Sequence, residues 1–269
     1  MKRLELFEFE DYDWLPRSIR TGATNLIIVF HKLLGTADVL SKYILQIRES
    51  CNFDQVVDLG SGSGGAMLEC FDQINHDNKD QPLKLMLTDL HPNPNIVNKI
   101  NNSNLSHIEY NPLSVNATDI NDAPAGLKTM IASFHHMRPE IAEKILNSAE
   151  NNNEPIFIYE LAKNNVPTIL WWILLPISLV ILFVMSLVMT PFVRPLTFKQ
   201  FFFTYIIPVI PIVYAWDGQA SLMRTYTFDD IKELLNDKAN PNYKWDIGDA
   251  INSNGKKKGY FVIGTPMIY

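Results

Sequence analysis

Cysteine is scarce in this chain of 269 residues, where Cys51 and Cys70 are the only two. Their separation matches no metal-binding spacing and permits one disulfide at most, so two reduced thiols are expected. Basic charge is also in short supply. Lys and Arg number 23 against 29 Asp and Glu, and the net charge of -6 argues against nucleic acid as a main partner. The one basic run, Lys256-Lys257-Lys258, follows Asn254-Gly255 and reads as a solvated turn. Met1-Lys2-Arg3 leads straight into Glu5, Glu8, Glu10 and Asp11 with no apolar run behind it. No secretory leader is therefore predicted, and the soluble part is expected in the cytoplasm. No His, Cys or carboxylate cluster has ligand spacing, so no metal is expected. Internal repeats and low-complexity tracts are absent as well.

What the chain does have is a glycine loop. Val56-Val57-Asp58-Leu59 reads as a strand, Gly60-Ser61-Gly62-Ser63-Gly64-Gly65 as a tight turn, and Ala66 to Phe71 as the start of a helix. That order suits a ligand held at a helix N-terminus against bare backbone. Gly60, Gly62 and Gly65 formally satisfy a dinucleotide fingerprint, and the flanks decide against it. A pyrophosphate gains nothing from a carboxylate two residues before the first glycine. Asp58 suits a ligand with a cationic amino group.

Around this loop, strand-like and helix-like segments alternate. Helices are predicted over Arg17–Leu34 and Thr36–Glu49, from apolar residues at helical spacing. Strands follow at Val56–Leu59, Leu83–Thr88, His107–Tyr110, Thr129–Phe134 and Pro155–Leu161, with helices at Pro94–Asn101 and Pro139–Ala149 between them. Such alternation implies a parallel sheet covered on both faces, with ligands outside the carboxyl ends of its strands. Near the end, Thr227-Phe228-Asp229-Asp230 opens a helix. Lys244–Ile247 and Gly259–Ile263 then read as an antiparallel hairpin with a long loop.

Charge vanishes altogether between Val166 and Val193. That run exceeds the roughly 20 apolar residues a membrane-spanning helix needs. Arg194 and Lys199 interrupt it, and a second run follows from Phe201 to Ala215, with Pro208 and Pro211 opposing one straight helix. As a helix that run reaches only ~23 Å, short of the roughly 30 Å hydrocarbon core. The final helix and hairpin must rejoin the sheet, so both ends of the insertion are expected on the cytoplasmic side. A monotopic or re-entrant helical hairpin is preferred to two spans, since Arg194 and Lys199 at its tip oppose translocation. A soluble apolar arm buried in a dimer is the alternative.

Asp58-x-Gly60-x-Gly62-x-Gly64 resembles the first motif of class I S-adenosylmethionine-dependent methyltransferases. The resemblance covers about residues 35–161 and 216–269. It implies an α/β fold, a Rossmann-like seven-stranded methyltransferase sheet with an antiparallel terminal hairpin, here with an apolar helical hairpin insertion. It also implies S-adenosyl-L-methionine as cofactor, held by Asp58, Gly60, Ser61, Gly62 and Gly64. Asp89 and Leu90 would stand at the ribose, Asn116 and Ala117 at adenine, and Ser133 at the strand end facing the methyl group. Trp14-Leu15-Pro16, Phe134-His135-His136-Met137-Arg138-Pro139 and the insertion resemble a bacterial branch of that family.

Methyl transfer from a sulfonium is an in-line displacement, so a base is needed only for a protonated, weakly acidic acceptor. His135 and His136 stand where that base would be, His135 being favoured. Trp14 and Arg17, with Arg20 behind them, together with Glu160 and Asp217, are candidates for the acceptor. For Glu160 a solvated strand-end carboxylate is the plainer role, and for Asp217 a turn-forming Asp-Gly. The expected organisation is a helical cap over 1–50, a cofactor-binding core over 51–161, an apolar helical insertion over 162–215 and a closing segment over 216–269. The expected activity is methyl transfer to a small, apolar or lipid-like acceptor at the inner face of the cell membrane, with an oligomer possible through the insertion. The rivals are an NAD(P)-dependent oxidoreductase and a non-catalytic, membrane-anchored cofactor-binding domain.

Overall fold

The computed structural model describes residues 1–78, 81–103, 105–235 and 240–267. Its chain divides into two compact units, one built mainly from residues 35–161 and 228–269, the other from 2–34 and 162–227. The segment 1–50, expected as one cap, is thus shared: its first helix belongs to the second unit and its second helix to the first. Residues 216–227, expected to close the core, also belong to the second unit.

The first unit is a seven-stranded sheet. Its strands are β1 (Gln55–Leu59), β2 (Lys84–Thr88), β3 (Ile108–Tyr110), β4 (Leu127–Ile131), β5 (Ile156–Glu160), β6 (Tyr243–Ile251) and β7 (Lys257–Pro266), in the order β3-β2-β1-β4-β5-β7-β6. The first five run parallel, and β7 joins β5 antiparallel. The crossover reverses between β1 and β4, so a crevice opens at the carboxyl ends of those two strands. Helices α1 (Arg17–Leu34) and α2 (Thr36–Ser50) precede the sheet in sequence, and α3 (Gly65–Asp77), α4 (Pro94–Asn101) and α5 (Pro139–Asn151) connect its strands. Met67, Cys70 and Phe71 of α3, Val97 and Ile100 of α4 and Leu40 and Ile44 of α2 form one apolar cluster with β1, β2 and β3. Both cysteines are free and buried.

Two strand expectations needed correction. β4 ends at Ile131, three residues early, because Ala132 takes a left-handed φ of 50° that a strand cannot continue. Phe134–His136 is a 3₁₀ turn instead. The terminal hairpin has longer strands and a shorter loop than expected. Lys257 lies in β7 and pairs with Asp249 at 2.5 Å, and only Lys256 of the basic run stays in the turn.

The second unit is helical. Besides α1 it holds α6 (Thr168–Met189), α7 (Phe198–Phe201) and α8 (Val209–Arg224); α9 (Phe228–Leu234) returns the chain to the sheet unit. α7 continues as a π-helix over Phe202–Ile206 and stops at Ile207-Pro208. Pro208 has no N–H to give the preceding turn, and the two limbs, Phe198–Ile206 and Val209–Arg224, meet at 80°. Pro211 is tolerated because it falls in the first turn of α8, where N–H groups have no helical acceptor. Gly22 of α1 is small for a reason: a Cβ there would overlap the Ile210 side chain of α8.

α6 buries one stripe and exposes the rest. Trp171 and Leu175 pack with Met223, and Met189 packs with Ile19, Leu26 and Val213. Ile173, Val180 and Val188 on the opposite side are 66%, 62% and 62% exposed. Among the described residues one helix, Thr168–Phe192, is long and apolar enough to cross a membrane.

Polar groups on α8 secure the N-terminal segment within this unit. Arg224 pairs with Glu8 at 3.3 Å and Asp11 at 2.5 Å, and its Nε donates to Leu6 O. Asp217 accepts from the backbone N–H of Phe9 at 2.7 Å and of Glu10 at 3.3 Å. Asp217 therefore lies inside a helix, not in the expected turn.

Candidate functional site

The glycine loop sits where β1 meets α3, at the carboxyl edge of the sheet. Gly60, Gly62 and Gly64 have φ of 68°, 54° and 85°, values that a side chain would strain. A Cβ on Gly62 would meet nothing within 4 Å, so that stretch of backbone is open to a ligand. Beneath the loop the chain is tightly braced. Ser61 N donates to Thr88 O at 2.9 Å, Ser61 Oγ donates to Asp58 O at 2.8 Å, and Thr88 Oγ1 donates to the same carbonyl at 2.8 Å. The Tyr110 hydroxyl donates to Gly62 O at 3.0 Å.

Asp58 is 3% exposed, and its Oδ1 accepts from Thr129 Oγ1 at 2.7 Å, its register partner on β4. Burial raises its pKa from 3.8 to about 7, against the hydrogen bonds from Thr129 and Ser61. A buried carboxyl held near neutral is a site that a cationic ligand would ionise. The folded value lies above the unfolded one. The associated stability is therefore full below about pH 4 and is lost as pH rises through about 7. Asp58→Asn is expected to melt higher than the ligand-free wild type above pH 7 and to converge with it near pH 4, as thermal melts across pH will read. Part of the slope remains, because burial also raises Asp217 to about 7 and Glu10 to about 6.

Asp89 follows β2 and uses both oxygens locally. Oδ2 accepts from Gly62 N at 3.1 Å and Oδ1 from His91 N at 2.9 Å. Val115 N donates to Asp89 O at 3.0 Å and Ser114 Oγ to Leu90 O at 2.7 Å, which brings the Asn116-Ala117 turn beside Asp89-Leu90. Leu90 is exposed there. Asn116 Oδ1 accepts from Thr118 N at 3.0 Å and Thr118 Oγ1 at 2.9 Å. The Asn116 carbonyl thus closes its own turn, and the amide N–H₂ is the group left to read a ligand. Asn116, Thr118 and Asp119 also line a polar cleft of about 550 Å³ with Lys144, Asn147 and Ser148.

Across the crevice, the chain leaves β4 through Ala132 and Ser133. The Ser133 hydroxyl is buried without a hydrogen-bond partner among the described residues, and a Cβ on Gly60 would lie 3.7 Å from it. An orphaned hydroxyl costs about 1–3 kcal/mol, which a polar ligand atom at the loop would recover. His135, 7% exposed, comes next, with the ring of His136 at 4.2 Å between centroids. Glu160, expected to be solvated at a rim, is 2% exposed. Its Oε1 accepts from His135 N, and its Oε2 lies against His135 Nδ1, both at 2.9 Å.

The sheet unit therefore brings together the glycine loop, Asp58, Asp89, Leu90, Asn116, Ser133, His135, His136 and Glu160. Trp14, Arg17 and Asp217 belong to the helical unit. Trp14 is exposed and stacks on Tyr12 at 6.0 Å. Sequence reasoning missed Thr129 and the His135–Glu160 pair. An acid ending a strand that is otherwise Ile156-Phe157-Ile158-Tyr159 was the available signal for the pair.

This strand order, with its antiparallel β7 and a glycine turn after β1, is the class I methyltransferase fold. Among solved structures, the plantazolicin methyltransferase BpumL in complex with SAH is similar at TM-score 0.55 and 14% identity, over 96% of this chain and 92% of its own. Its complex with a monoazolic desmethylPZN analog and SAH gives 0.53 and 16%, over 97% and 92%. No family model matches the chain, and no curated protein does.

Proposed function

We propose that this chain is an S-adenosylmethionine-dependent methyltransferase acting on a small, apolar or lipid-like acceptor at a membrane surface. The observation that carries the reading is the orphaned Ser133 hydroxyl facing the open, positive-φ glycine loop. The residues fit the cofactor. Asp58 suits its amino group, Asp89 its two ribose hydroxyls, Leu90 and the Asn116 amide its adenine, and Ser133 the methionine end. When bound, the cofactor supplies an electrophilic methyl group. SAH, the demethylated form of that cofactor, is bound by the similar plantazolicin methyltransferases. His135 and His136 border the acceptor side.

The membrane part of the proposal rests on α6. Its exposed face carries no charge from Val166 to Val193, and its 22 residues reach ~33 Å as a helix. An uncovered surface this apolar needs a partner, and a bilayer matches its length and lack of charge. Docking from one side is favoured over crossing. The Phe198–Ile206 limb reaches only ~14 Å, and α8 beside α6 carries Asp217, Gln219 and Arg224. Gln219 even accepts from the Trp171 indole of α6 at 3.0 Å.

Calorimetric titration tests the cofactor. Wild type is expected to bind S-adenosylhomocysteine and not NADH. Asp89→Ala, losing two hydrogen bonds to a charged group, is expected to bind about 100-fold more weakly. Tight NADH binding with no response to S-adenosylhomocysteine would make the chain an oxidoreductase. Binding without labelled-methyl incorporation into a membrane lipid extract would favour a non-catalytic cofactor-binding domain.

A further inference from the structure

We propose that the bilayer receiving α6 is one rich in anionic phospholipid, whose phosphates are read by Arg194 and Lys199 at the tip of the insertion. This names the partner of the docking face, and it rests on the membrane reading above. Charge is unevenly divided along the chain. From Leu161 to Trp216 there is no Asp or Glu, while Lys163, Arg194 and Lys199 all fall in that stretch. Residues 2–34 and 162–227, which form the helical unit, carry nine Lys and Arg against six Asp and Glu. That unit is therefore net +3 in a chain of net -6.

Most acids of this unit are engaged by their own neighbours. Glu5 pairs with Arg3, Glu8 and Asp11 pair with Arg224, and Asp217 holds the backbone of Phe9 and Glu10. Arg194 and Lys199 are exposed, and neither pairs with a carboxylate among the described residues. Nη1 of Arg194 donates to Pro191 O at 2.7 Å and to Val193 O at 2.9 Å. Those bonds hold the planar guanidinium by one corner. Nε and Nη2 remain as a fork of donors without a partner among the described residues, a geometry that suits two phosphate oxygens.

The tip is braced at both ends. Val193, just before it, is buried with Ile19 and Leu26 of α1. Gln200, just after it, donates from Nε2 to Gly22 O at 3.3 Å and accepts from Asn25 Nδ2 at 3.2 Å. Residues 194–199 between them are all exposed, and Leu196 and Phe198 alternate there with the two cations. Apolar groups at the acyl boundary with cations at phosphate level are a pairing that a headgroup region accepts. A second copy of this chain fits less well. An isologous contact through the tip would gather four cations with no acid from either insertion to meet them. The net charge of the whole chain does not decide the matter, because exposed charges beyond about 8 Å are largely screened at physiological salt.

Flotation of the full-length chain on two kinds of vesicle tests this. One is phosphatidylcholine alone, and the other contains phosphatidylserine at about 30%. Two cations at the surface are expected to make partition about 30-fold stronger on the anionic vesicles. That advantage is expected to vanish at about 1 M salt. Arg194→Gln combined with Lys199→Gln is expected to abolish the preference and leave the thermal melt unchanged. Lys199→Glu alone, at an exposed position, reverses one charge and is expected to cost a similar factor on anionic vesicles, so the test survives a double variant that fails to fold. Equal flotation on both vesicles, or variants that keep the preference, would overturn the proposal and leave docking through α6 standing. No flotation on either vesicle would overturn the docking reading and the proposal with it, and a dimer in sedimentation would then assign the face to a second copy.

Discussion

Aspartate at Ile173, Val180 and Val188 together is expected to release the protein from membranes without unfolding it. All three side chains project from the exposed side of α6, at 66%, 62% and 62% exposure, so removing them empties no core position. Each charge costs about 3 kcal/mol at the centre of a bilayer and less near its surface. Even about 1.5 kcal/mol apiece would weaken partition more than 1,000-fold. Flotation with liposomes reads the partition, and a thermal melt in detergent reads the fold. Three charges that leave flotation unchanged would sink the docking claim. Leu175→Asp, on the buried stripe against Met223, is the contrasting change and should fail to fold. These point substitutions are cleaner than deleting the insertion, because Val209 to Tyr214 also form the partner surface of α1.

Gly259→Ala should destabilise the sheet unit by about 3–5 kcal/mol, a large share of the 5–15 kcal/mol usual for a domain. Its φ of 82° already disfavours any side chain, by about 1–3 kcal/mol. The added Cβ would also overlap Glu160 O and stand 2.9 Å from Leu161 Cα. Those are backbone atoms of the strand that β7 pairs with, so relief requires breaking the ladder. Gly255→Ala provides the comparison. With φ of 74° and nothing within 4 Å of its Cβ, it should cost only about 1 kcal/mol. Denaturant melts that show equal losses for the two variants would refute the close-approach explanation.

Much of the fold was legible in the chain because period and punctuation act locally. Arg17–Leu34 and Pro94–Asn101 begin and end where apolar spacing and proline put them. The glycine turn and the acid after β2 were readable because special dihedrals and strand ends leave marks in sequence. What was not legible depends on depth. Nothing local distinguishes a solvated glutamate at a strand end from one buried under a histidine 25 positions away. Asp217 misled for the same reason. Asp-Gly favours turns, but two backbone N–H groups from Phe9 and Glu10 outweigh that preference inside α8. Nor could spacing show that α1 joins the insertion while α2 joins the sheet, since that choice depends on Gly22 admitting Ile210.

The position of β7 between β5 and β6 sets an order for biosynthesis. β5 ends at Glu160, and the strand that covers its edge begins at Lys257. At ~5–20 residues per second, the ribosome leaves that edge unpaired for roughly 5–20 s. The whole of α6 emerges during this interval. A nascent chain already seated on a bilayer through α6 would keep its bare β5 edge apart from those of other chains until β7 arrives.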